Sequence, residues 1–203
     1  MRIVATGIGK RFRYREILKN ISFEVNPGES IVVTGRNGSG KTTLMKILCG
    51  LMPPTEGAVE YYEGETRLSR DAIYGRVSLV GPYVQFYRDL SAWENLVFVA
   101  QSRQEAVDEN RMKGLFARLG LAGREHDLLR TYSSGMAQRL KYAAALYHVP
   151  DVLMVDEPTS NLDEEGKTVV REVVELHSRD HAVVVATNER EELNWGQRRV
   201  TLG

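Results

Sequence analysis

The chain has 203 residues, 42% hydrophobic and 27% charged, enough for one α/β unit with a substantial core, or a core carrying one inserted subdomain. Its 27 Lys and Arg balance its 27 Asp and Glu, and without a basic excess a dedicated nucleic-acid binder is disfavoured. A single cysteine, Cys49, excludes an intramolecular disulfide and suits a reducing cytoplasm, and no run approaches the roughly 18 consecutive apolar residues of a membrane span.

Residues 1–28 alternate and turn at Asn26-Pro27-Gly28, which predicts an antiparallel meander; residues 57–80, with a turn at Glu63-Gly64, read the same way. The first residues, Met1 to Gly7, show no hydrophobic core of signal-peptide length. Arg11, Arg13 and Arg15 alternate with Phe12 and Tyr14, as expected of a solvated strand face rather than a nucleic-acid strip. Ile31 to Thr34 is nearly all apolar, like a central parallel strand covered on both faces. A glycine-rich turn and a helix from Lys41 to Leu51 follow, closed by Gly50 and Pro53-Pro54. Cys49 lies in the apolar part of that helix and reads as a small buried thiol.

From about residue 86 to 150 the period is mostly helical, with long stretches at Asn110 to Leu119 and Gly135 to Leu146, which predicts a helical insertion. Val152 to Val155 and Ala182 to Ala186 are two more apolar β-branched runs. Between them lies a helix over Glu164 to His177, opened by the acids Asp163-Glu164-Glu165. Strand, helix, strand, helix, strand is the order of a parallel α/β sheet. No internal repeat or linker divides residues 1–203, so a single domain is expected. None of the four histidines (His126, His148, His177, His181) has metal-ligand spacing, and each reads as a surface or packing residue.

Gly35-Arg36-Asn37-Gly38-Ser39-Gly40-Lys41-Thr42 fits the phosphate-loop pattern G-x-x-x-x-G-K-[ST] at every position. Its glycines let the backbone wrap so that successive N–H groups face phosphate oxygens, and the next helix presents its N-terminus to the same anion. Lys41 is expected to reach the β- and γ-phosphates of ATP and Thr42 to ligate Mg²⁺, with Thr43 beside them in the binding turn. A second carboxylate pair, Asp156-Glu157, ends an apolar run at the carboxyl edge of the expected sheet, where ligands bind. There Asp156 would hold Mg²⁺ through water and Glu157 would polarise an attacking water as general base.

Val152-Leu-Met-Val-Asp-Glu-Pro-Thr-Ser-Asn-Leu-Asp163 resembles the D-E-P-T-x-x-L-D string of ABC ATPases. Tyr132-Ser-Ser-Gly-Met-Ala-Gln-Arg139 resembles their signature, usually L-S-G-G-Q followed by Q-R. The resemblance covers essentially the whole chain and implies a P-loop NTPase: a RecA-like parallel core, an antiparallel β subdomain and an inserted helical subdomain. It further implies a head-to-tail homodimer, or a heterodimer with another ATPase, around two Mg·ATP. Ser133 and Gly135 would face the γ-phosphate held by the other copy, and Asp163 would lie near the nucleotide. Phe12, with Tyr14 as the alternative, matches the aromatic residue that stacks on adenine.

The sequence also departs from the family pattern. Ser134 and Met136 replace the glycine and glutamine of the signature. The expected glutamine that senses γ-phosphate and Mg²⁺ falls on Pro82, leaving Gln85 as the candidate. Asn188 stands where a histidine is expected; its amide can donate to phosphate but cannot shuttle a proton. Tyr83, Phe86, Tyr87, Trp93 and Phe98 fit either a groove for a membrane subunit or internal packing. The resemblance therefore implies an ATP-hydrolysing subunit, cytoplasmic and held at the inner face of the membrane by an integral-membrane permease. The chain looks like the short haem-exporter and drug-exporter types, with no C-terminal regulatory domain, and export is expected over import. A soluble ABC ATPase, or a regulatory subunit with weak hydrolysis, is the alternative.

Overall fold

β1 (Arg2–Phe12) and β2 (Arg15–Val25) form a long antiparallel hairpin in a computed structural model that describes residues 1–203. β1 also pairs antiparallel with β4 (Glu56–Glu63), and a two-residue strand, β5 (Thr66–Arg67), completes this sheet in the order β2-β1-β4-β5. Alternation along β1 buries Ile3 and Ala5, and a register shift between Ala5 and Ile8 returns Ile8 to the same buried face.

The second sheet is wholly parallel, in the order β6-β7-β8-β3-β9. Its central strands are β3 (Ser30–Gly35), β7 (Val152–Asp156) and β8 (Ala182–Thr187), and every residue of β7 and β8 is buried. Alternate residues serve opposite faces. Ile31, Val33, Met154 and Val184 pack with Leu44, Met45, Ile47 and Leu48 of α1 (Lys41–Leu48) and with the hairpin. Val32, Leu153, Val155 and Val183 pack with the helices on the other side.

Two strands differ from the expectation. Val77 to Val80, assigned above to an antiparallel meander, is β6, which runs parallel beside β7 with Val80 opposite Val155. Arg198 to Leu202, unassigned above, is β9, parallel to β3. Both lie at sheet edges, where one flank is open and the continuous apolar run of a central strand is not required. α1 also ends three residues earlier than expected. Gly50 takes φ 72°, its N–H donates to the Ile47 carbonyl, and the Leu51 N–H reaches the Lys46 carbonyl, a Schellman stop. Cys49 caps this end with its thiol 3.1 Å from the Met154 sulfur, and burial pushes its pKa to about 12, too high for a reactive thiolate.

Between β6 and β7 the chain forms α2 (Ala92–Ser102), α3 (Glu109–Arg118) and α4 (Ser134–Leu146). A capping box joins Ser91 and Glu94 at the start of α2, Asp108 caps α3, and Ser133 caps α4. α5 (Glu164–His177) runs over the expected residues, capped by Asp163. The aromatic stretch divides: Trp93 stacks on Phe116 at 6.2 Å and Phe86 packs on the core, while Tyr87 and Phe98 form an edge-to-face pair at 5.1 Å that is about half exposed.

Two histidines give the fold a pH dependence. His148 sits 2.7 Å from the Ser78 hydroxyl and His177 stacks on His181 at 4.5 Å; burial lowers both pKa values to about 4. In the unfolded chain they titrate near 6.5, so between pH 6.5 and 4 the unfolded state binds more protons and stability falls as pH drops. Discounted for the water that reaches both rings, the loss from pH 7 to pH 5 is about 2 kcal/mol, or roughly 4–8 °C in the unfolding midpoint. Thermal melts at the two pH values measure this, and equal midpoints would show that the rings are not neutralised by burial.

Candidate functional site: a phosphate loop and a buried carboxylate

The loop from Gly35 to Gly40 carries β3 into α1, and two of its glycines are required by space as well as by angle. A Cβ on Gly35 would lie 2.5 Å from the Leu202 carbonyl oxygen and from the Ser39 hydroxyl; one on Gly40, at φ 99°, would lie 2.8 Å from side-chain carbons of Ile17 and Leu18. α2 to α5 each begin with a side-chain cap, but α1 begins at Gly40 with none and has no acid in its first turn. Its first N–H groups are therefore free to meet an anion. Lys41 is buried, and its ammonium donates to the carbonyls of Gly35 (2.7 Å) and Arg36 (3.3 Å), within the loop itself.

Asp156, at the end of β7, is fully buried, and neither carboxylate oxygen has a hydrogen-bond partner. Burial raises its pKa; the Thr42 hydroxyl, close but short of a full hydrogen bond, pulls the other way, and Glu157 and Lys41 contribute opposite charge effects. The Ser39 hydroxyl is also buried without a partner. Buried oxygens of this kind need a cation, a donor or ordered water. Thr42 and Asp156 thus fit as holders of Mg²⁺, which when bound would neutralise phosphate charge.

Glu157 is exposed and holds φ 56°, a strained backbone for a residue with a side chain, fixed in part by its N–H donating to the Ala186 carbonyl at 2.9 Å. It stands where two cavities meet. The first, about 390 Å³, is lined by Phe12, Arg15, Ile17 and the loop residues Asn37, Gly38, Gly40, Lys41, Thr42 and Thr43. The second, about 500 Å³ and almost entirely polar, includes Asn37, Thr187 and Asn188. The Asn188 amide donates to the Asn37 side-chain oxygen at 3.2 Å, so the turn after β8 touches the phosphate loop directly.

Of the two aromatic candidates, Phe12 lines the first cavity and Tyr14 is fully exposed at the hairpin tip. Arg15, expected only on a solvated strand face, and Ile17, given no role above, also line this cavity, brought there by the hairpin register that pairs Phe12 with Arg15. Gln85 is not brought to the site: it is exposed and lines neither cavity. Tyr83 of this loop turns inward, its ring under the Lys46 ammonium at 4.6 Å and its hydroxyl buried without a partner.

Ser133 and Gly135 also line neither cavity of their own chain. The Ser133 hydroxyl accepts from the Met136 N–H at 3.1 Å, and a Cβ on Gly135 would come within 3.2 Å of the Asn161 carbonyl. Asp163 caps α5 by accepting from the Gly166 N–H at 2.9 Å and lines neither cavity.

Comparison with known proteins agrees with this architecture. The family described as ABC transporter matches residues 18–160. An uncharacterised ABC transporter ATP-binding protein, YdbJ of Bacillus subtilis, is 37% identical over 186 residues, which cover 90% of this chain and 59% of YdbJ. This chain therefore spans about three fifths of that relative's length. The cytochrome c biogenesis ATP-binding export protein CcmA of Vibrio parahaemolyticus is 29% identical over 177 residues, 87% of this chain and 86% of CcmA. Among solved structures, the ATP-binding cassette MJ0796, a dimer in a post-hydrolysis state with ADP and Pi, superposes with a TM-score of 0.85 at 23% identity over 98% of this chain and 94% of its own. No helix is long and apolar enough to cross a membrane.

Proposed function

The chain belongs to the ABC transporter ATP-binding family, and on that premise we propose that it hydrolyses Mg·ATP as a dimer to drive a separate membrane-embedded subunit. The observation that carries the reading is the juxtaposition at the ends of β3 and β7. An uncapped helix N-terminus and Lys41 stand beside a buried, unpartnered Asp156, with Glu157 held in a strained backbone at the mouth of both cavities.

In this reading the loop amides and Lys41 bind the β- and γ-phosphates. Thr42 and Asp156 hold Mg²⁺, and the face of Phe12 takes the adenine. Glu157 accepts the proton of the attacking water, and the Asn188 amide donates to the γ-phosphate. The uncharged amide makes a weaker contact than an imidazolium would, which favours slow turnover. Ser133 and Gly135 line neither cavity of their own chain, and the exposed start of α4 closes instead on the ATP of a second copy. The exposed Tyr87–Phe98 pair suits an apolar anchor for the membrane subunit, and the likeness to CcmA favours export.

Phosphate release from Mg·ATP by the purified chain tests this, measured beside Asn188→His. The native chain turns over slowly and the histidine variant about tenfold faster, the gain of a charge-assisted hydrogen bond over a neutral one. No release by either protein would contradict the ATPase reading, and equal rates would remove Asn188 from the phosphate.

A further inference from the structure

Glu192, in the short turn Glu191–Asn194 after β8, is 2% exposed, yet no cation neutralises it. Lys167 and Arg171, which line the same cavity, pair with Glu164 and Glu175 instead. One oxygen of Glu192 accepts from the Thr159 N–H at 3.2 Å and from the Thr159 hydroxyl; the other is buried without a partner. For stability alone an apolar side chain would serve at least as well, because an unpaired buried oxygen is costly.

The bonds to Thr159 land two residues after Glu157, on a segment with two strained positions: Glu157 at φ 56° and Asn161 at φ 64°. Such backbone persists only where its surroundings over-determine it. One anchor is the Tyr142 hydroxyl of α4, which donates to the Pro158 carbonyl at 2.8 Å. Glu192 is the next, and it lies four residues beyond Asn188 in the same connection from β8 to β9.

We propose that Glu192 is a positioning residue: by holding Thr159 it sets the backbone that aims Glu157 and ties the Asn188 turn to it. The inference rests on Glu157 acting as the base. Glu192→Ala and Glu192→Gln are compared by amide hydrogen exchange and by steady-state kinetics. In Glu192→Ala the amides from Thr159 to Leu162 exchange about tenfold faster, and kcat falls about tenfold with KM within twofold. Glu192→Gln keeps one acceptor oxygen and recovers most of both. If Glu192→Ala does not fold, Thr159→Val, which removes only the hydroxyl donor, shifts both readouts the same way by a smaller factor. Unchanged exchange overturns the proposal, as does faster exchange with an unchanged kcat. A native chain without turnover counts against the ATPase reading instead, and the exchange measurement still decides whether Glu192 anchors the segment.

Discussion

Glu157→Gln lowers the rate of ATP hydrolysis by roughly 10³-fold, the range expected for losing a general base, and leaves Mg·ATP affinity within a few fold. The substitution changes one atom of an exposed side chain, and glutamine tolerates the φ of 56° as poorly or as well as glutamate, so the local backbone and the stability stay as they are. What is lost is the group that takes a proton from water. Binding is kept because the phosphate contacts come from the loop, the α1 N-terminus and Lys41, none of which the variant touches. Single-turnover phosphate release checks this. A rate within tenfold of the native chain would place the base elsewhere.

Lys41→Ala has the second large effect, on binding rather than on chemistry. The Lys41 ammonium already lies inside the loop, donating to the Gly35 and Arg36 carbonyls, and phosphate oxygens offer it stronger, charged acceptors. Its removal weakens Mg·ATP binding roughly 10- to 100-fold, about 1.5–3 kcal/mol for hydrogen bonds to a charged group. Titration calorimetry gives the comparison, and unaltered affinity would remove the phosphate loop from the site.

The central strands were legible because burial on both faces forces a continuous apolar run, visible in Val152 to Val155 and Ala182 to Ala186. The start of α5 was legible because the acids Asp163-Glu164-Glu165 favour the positive end of a helix. β6 and β9 were not, because an edge strand of four or five residues carries too little pattern to separate parallel from antiparallel pairing. At the candidate site the phosphate loop and the Asp156-Glu157 pair follow from local motifs. Arg15, Ile17 and Glu192 enter only through tertiary contacts: a hairpin register in one case and a bond spanning 33 residues in the other. Tyr83 shows the same limit: the family-based count fell on Pro82 and left Gln85 as the candidate, while the tyrosine ring fills the space a Cβ on Gly81 would take.

In the proposed function each chain holds only half of a working site, since Ser133 and Gly135 line neither cavity of their own chain. Light scattering on Glu157→Gln with saturating ATP and Mg²⁺ tests it most directly. The mass should double when both are added and return to that of one chain when the Mg²⁺ is chelated. A single-chain mass at saturating nucleotide would show that Ser133 and Gly135 do not meet the ATP of a second copy.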